Sequence, residues 1–178
     1  HCDSASEKLK GSDLSSKDSN YLIESNKYEG STSNIVLPYV DSLQTNGSFK
    51  NGSHTIAYNM YLLDDAKANI VISHGFIERK EKYKEAIYYF LKMGYQVFIL
   101  DHSGHGSSSR ECPDSSMIHV EAYENFASDL NAFITGTVQK HSKDLKTILF
   151  GHSMGGAIAA LTVENNPELV DGLILNAP

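Results

Sequence analysis

Four short runs in this chain are apolar at consecutive positions, not alternate ones. They are Asn69 to Ser73, Gln96 to Leu100, Thr147 to Phe150 and Leu173 to Leu175. A strand of that kind buries both faces, so something must cover each side of its sheet. Helical patterns supply the cover. Tyr83, Ala86, Ile87, Phe90 and Leu91 fall at i, i+3, i+4, i+7 and i+8, one buried stripe of a helix. Gly94 stops that helix as a left-handed C-terminal residue. Val120, Tyr123, Phe126, Ala127, Leu130, Phe133, Ile134 and Val138 mark a longer helix. Gly156 to Glu164 reads as a helix of small residues, ended by Asn165-Asn166-Pro167. Strands alternating with helices predict an α/β fold, a mostly parallel sheet with helices on both faces. Ahead of it, Asn51-Gly52 predicts a hairpin joining a short strand near Ser48 to Lys50 with a longer one, His54 to Leu63.

Composition narrows the function. At 178 residues the chain has room for about one domain. Its net charge of −7 argues against nucleic-acid binding, which needs a basic footprint. No apolar run reaches the 18 residues of a membrane span. Cys2 and Cys112 are too few for a disulfide scaffold. Residues 1–34 hold nine Ser with scattered charges, and few apolar side chains apart from Tyr21-Leu22-Ile23. We expect residues 1–40 to be a flexible Ser-rich segment and 41–178 to form the folded domain.

In a parallel sheet, chemistry sits beyond the carboxyl ends of the strands. Three loops qualify. After Phe150 comes Gly151-His152-Ser153-Met154-Gly155-Gly156, a G-x-S-x-G between strand and helix. A strand turning sharply into a helix strains the serine, and side chains at Gly151 or Gly155 would strike neighbouring backbone. The turn presents the Ser153 hydroxyl as a nucleophile and the Met154 N–H as an oxyanion donor at a helix N-terminus. After Ser73 comes His74-Gly75-Phe76-Ile77-Glu78-Arg79, and the Phe76 N–H is the candidate second donor. After Leu100 comes Asp101-His102-Ser103-Gly104-His105-Gly106. His102 and His105 are spaced like metal ligands, but no cluster completes a ligand set. Ser109 also breaks a G-x-G-x-x-G pattern, so no metal or cofactor is expected. His74, Gly75, His102, His105, Gly151, His152 and Gly155 are read as shaping the site.

Together these loops resemble the α/β-hydrolase superfamily, within it the lysophospholipase and monoacylglycerol lipase group. The likeness covers about residues 45–178. It is carried by His74-Gly75-Phe76 with Glu78, Tyr83, Gly94-Tyr95, Asp101-His102, Gly104-His105-Gly106 with Ser108, the Ser153 turn, and Asn176-Ala177-Pro178. The resemblance implies an α/β-hydrolase fold cut short after about the sixth strand. It implies Ser153 as nucleophile, the Phe76 and Met154 amides as oxyanion hole, and acyl esters of the monoacylglycerol or lysophospholipid type as substrates, with access to a membrane surface. Departures fall where the group has Gly (Ile77 here) and Arg (Ser103 and Ser107 here), which concerns the pocket and not the nucleophile.

The family's order is serine, then acid, then histidine. No histidine follows Ser153 in this sequence. We therefore expect the acid and histidine to come from a C-terminal segment or second chain completing the domain, and the 178 residues alone to be inactive. Two other readings stay open: a non-catalytic binding scaffold, and an esterase or thioesterase for small acyl groups. Cys2 ahead of a Ser/Asp/Lys-rich tail is similar to the start of a mature bacterial lipoprotein, which would put the protein outside the cytoplasm on a lipid anchor. A cloning remnant followed by disorder, on a cytoplasmic protein, is the alternative.

Overall fold

A computed structural model describes residues 32–75, 80–102 and 116–176. Six strands form one sheet: β1 (Gln44–Asn51), β2 (His54–Tyr61), β3 (Ala68–Ser73), β4 (Tyr95–Leu100), β5 (Thr147–His152) and β6 (Gly172–Asn176). Their spatial order is β1-β2-β4-β3-β5-β6. β2 runs antiparallel to both β1 and β4, and β4, β3, β5 and β6 are mutually parallel. The expected mostly parallel sheet is present.

Alternate residues of the central strands serve two cores. Ile70, Ile72, Val97 and Ile99 face one side, where Ile87 and Leu91 of helix α2 (Lys84–Lys92) cover them. Val71, Phe98, Leu100 and Leu149 face the other. Leu130 and Phe133 of α3 (Ser116–Phe133) and Ile158 and Ala159 of α4 (Met154–Asn165) pack there. The α3 helix runs on through a wider π-type stretch, Ile134–Val138, and a last turn, Gln139–His141.

Three local differences from the sequence reading have physical causes. First, the end of the Ser-rich segment is helical. A π-type turn, Thr32–Val36, leads into α1 (Leu37–Leu43), and Val36 and Val40 are wholly buried beside α2. Two valines at i, i+4 suffice to dock one helical face. Second, β1 begins at Gln44, ahead of the expected start near Ser48, because all eight of its residues pair with β2. Gly52 has φ +62° and Ser53 does not have positive φ, the arrangement of a II′ hairpin turn. Third, α2 buries Tyr88 while Phe90 stays half-buried. The Gly94 stop is as expected, at φ +90°. Cys2, Tyr21 to Ile23 and Cys112 lie outside the described residues.

Candidate active site

The sheet order reverses direction at β3. The α2 connection to β4 passes over one face, and the α3 connection back to β5 passes over the other. A crevice opens at such a switch point, beyond the carboxyl ends of the strands. Ser73 to Gly75, Asp101 to His102 and Gly151 to Gly156 converge there, so two of the predicted loops and the serine turn share one place. Phe76 and His105 lie outside the described residues, as do Ile77, Ser103 and Ser107.

Ser153 sits at φ +55° and ψ −122°, a conformation that L-residues avoid at about 1–3 kcal/mol. Bonds on both sides hold it there. Its N–H donates to Asn176 O on β6 at 3.1 Å. Its own carbonyl accepts from the N–H groups of Gly156 at 2.9 Å and Ala157 at 3.3 Å, which opens α4. The two flanking glycines are sterically required. A Cβ on Gly151 would come within 2.6 Å of Gly156 Cα, and one on Gly155 within 2.1 Å of Ser73 O and 2.2 Å of His74 O. Met154 is the first helical residue, so no carbonyl one turn earlier in the helix claims its N–H. That amide, at the positive end of α4, is suited to receive negative charge. Among the described residues, nothing hydrogen-bonds the Ser153 hydroxyl.

Behind the serine lies a buried polar cluster. His102 N–H donates to His74 Nε2 at 3.1 Å. The His74 ring therefore carries its proton on Nδ1, which donates to Gly75 O at 3.1 Å. His74 Nε2 also lies 3.7 Å from Asp101 Oδ1. That approach is too long for a hydrogen bond, and a nitrogen that accepts from an amide makes no ion pair. Asp101 instead takes Lys80, through Nζ at 2.8 Å and the backbone N–H at 3.2 Å. Gly75 N–H donates to the Tyr83 hydroxyl at 3.2 Å. His74, Asp101 and His102 are all wholly buried. His74 and His102 thus tie the segments after β3 and β4 to each other.

His152 lies on the α2 side of the sheet. Its strand-mates Phe150 and Ile148 pack toward α2, and it lines an open groove of about 500 Å³ with Tyr83, Tyr89, Phe90 and Asn176. Sequence reading did not single out Ser73 or Lys80. A lone Ser closing an apolar strand and a Lys in a charged stretch carry no local signal, since their partners lie 29 and 21 residues away.

The sequence profile of the family described as serine aminopeptidase, S33, matches residues 64–178. Lysophospholipase L2 of Escherichia coli (strain K12) is 38% identical over 109 residues, 61% of this chain and 32% of that protein. Monoglyceride lipase of Homo sapiens is 38% identical over 112 residues, 63% of this chain and 35% of that protein. The chain thus spans about a third of the length of these curated relatives. Among solved structures, a thermostable carboxyl esterase from Bacillus coagulans, in complex with glycerol, aligns with TM-score 0.62 and 26% identity. The alignment covers 74% of this chain and 43% of that one. A soluble variant of the monoglyceride lipase of Saccharomyces cerevisiae shares the fold, with TM-score 0.63 and 18% identity over 75% of this chain and 44% of that one.

Proposed function

Because the chain belongs to the serine aminopeptidase S33 family, within the α/β-hydrolases, we propose that it carries the nucleophile half of a serine esterase. The substrates are carboxylic esters of acyl chains, of the monoacylglycerol or lysophospholipid type. Ser153 attacks the ester carbonyl, and the Met154 and Phe76 amides receive the oxyanion. The alcohol leaves, and water cleaves the acyl-enzyme. The general base and its acid come from sequence outside these 178 residues.

One observation carries the reading: Ser153 is held at φ +55° between Gly151 and Gly155, which tolerate no side chain, directly before a helix N-terminus. A scaffold that only binds ligands has no use for a strained, presented serine, which counts against the binding-module alternative. The substrate class is supported by the lipase and lysophospholipase relatives. The same machinery accepts a thioester or a short ester, so fold alone leaves acyl preference to experiment.

The test is labelling of the full-length protein with a fluorophosphonate, read by intact mass, together with hydrolysis of a monoacylglycerol series of rising acyl length. We expect one adduct on Ser153, and turnover that is lost in Ser153→Ala. Full turnover in Ser153→Ala would overturn the mechanism. A sharp preference for acetyl esters would overturn the lipid substrate class. Without a triad histidine, turnover falls by about 10⁶ in a well-studied serine hydrolase. An isolated 178-residue chain that turns over esters at full rate would therefore show that the base lies within it.

A further inference from the structure

Ser73 ends β3 wholly buried, and its hydroxyl has two partners. It donates to Gly155 O at 2.8 Å. With its only proton so engaged, it accepts from His102 Nε2–H at 2.9 Å. An apolar side chain would fill this position with no polar group to satisfy, whereas a buried hydroxyl requires partners. The bridge joins three separate pieces of chain: the end of β3, the residue after Asp101, and the first turn of α4. His102 adds a second tie, from its N–H to His74 Nε2 at 3.1 Å.

We propose that Ser73 is a positioning residue for acyl transfer, its hydroxyl, oriented by His102, fixing the first turn of α4 and with it Ser153 and the Met154 amide. Steric contact alone does not fix that turn. The backbone of Gly155 rests on the carbonyls of Ser73 and His74 so closely that no Cβ fits, which sets the separation of the two segments. That contact sets a distance, whereas a hydrogen bond also sets direction. Ser73 supplies that bond on the β3 side, and the Ser153 N–H to Asn176 O bond supplies one on the β6 side. The nucleophile is held between two strands, with a tie to each. The chemical consequence rests on the esterase reading, and the bridge itself does not.

The experiment compares Ser73→Ala and Ser73→Thr with the parent in the full-length protein. Two readouts are taken: NMR solvent exchange of the His102 Nε2 proton and the Gly156 and Ala157 amides, and steady-state ester kinetics. In Ser73→Ala we expect all three protons to lose protection. We also expect kcat to fall about 10- to 100-fold with KM nearly unchanged, since a misplacement of about 1 Å costs about 10² in rate. Ser73→Thr keeps the hydroxyl and should recover protection and most of kcat. Unchanged protection in Ser73→Ala, or kcat within about twofold of the parent, would overturn the proposal. So would a loss left unrepaired in a Ser73→Thr protein of parental Tm, because the hydroxyl would then not be what orders the turn. If the parent protein neither hydrolyses esters nor takes the fluorophosphonate, the esterase reading fails. The exchange data then decide the bridge alone: retained protection in Ser73→Ala refutes it, and loss repaired by Ser73→Thr upholds it.

Discussion

Gly155→Ala puts one methyl group where the structure has no room. The added Cβ would lie 2.1 Å from Ser73 O, 2.2 Å from His74 O and 2.5 Å from Ser73 C, all backbone atoms that cannot rotate aside. Tolerable contacts begin near 3.0 Å. The start of α4 and the end of β3 must therefore part by about 1 Å. Overpacking of this kind costs about 1–3 kcal/mol, and rigid neighbours put Gly155 at the upper end. About 3 kcal/mol corresponds to a fall in Tm of roughly 6–12 °C for a domain of this size. The same displacement moves Ser153 relative to its oxyanion donors, so fluorophosphonate labelling should slow by about 10². Gly136 is the matched control. It lies exposed in the π-type stretch after α3, with nothing within 4 Å of an added Cβ. Gly136→Ala should leave labelling unchanged and stabilise by about 0.5–1 kcal/mol, the helical advantage of Ala. Differential scanning calorimetry and time-resolved labelling read both variants. A Gly155→Ala protein within about 2 °C of the parent, labelled at the parental rate, would refute the claim that backbone contact at this glycine positions the nucleophile.

Three further outcomes are expected. Lys80→Met removes the ammonium that lies 2.8 Å from buried Asp101, which should cost about 3–5 kcal/mol in urea denaturation; a loss under about 1 kcal/mol would contradict a structural ion pair. Ile174→Lys places a charge on the edge strand β6, where Ile174 is 51% exposed, and light scattering should show slower aggregation of the 178-residue chain with little change in stability. Burial raises the Glu85 pKa above 4.5, so the folded state holds that proton more tightly than the unfolded one. Stability attributable to Glu85 therefore falls as pH rises through 4.5 and the raised value above it. Glu85→Gln should flatten that part of the stability profile, and an unchanged profile would remove Glu85 as its cause.

The strands, the serine turn and most helices were legible because each follows from a local pattern. Ile70-Val71-Ile72 can only be a strand with two covered faces. Gly151 and Gly155 flank a serine at the one spacing that lets a strand turn into a helix with no Cβ in the way. What stayed hidden depends on partners distant in sequence. Val36 and Val40 dock a helix, but their neighbours Ser33, Asn34 and Pro38 make the stretch read as tail. Ser48 to Lys50 read as a strand beside the Asn51-Gly52 turn, but Gln44 to Gly47 join β1 only through β2. Ser73 looks like the polar end of an apolar run until His102 and Gly155 meet it. The bond from the His102 N–H to His74 Nε2 likewise joins residues 28 apart, and no local pattern announces it.

The Ser73 bridge also spans long stretches of chain. Its partners lie 29 and 82 residues from it, and the last tie to Ser153 comes from Asn176. Contacts at such separations form late, because loop closure must precede them. A ribosome that has released residues 1–153 has made the serine but not the conformation that presents it. Until β6 pairs with β5, the bond from the Ser153 N–H to Asn176 O is missing and the turn lacks one of its ties. The geometry at Ser153 is thus a product of long-range assembly, and no short stretch of chain carries both of its ties.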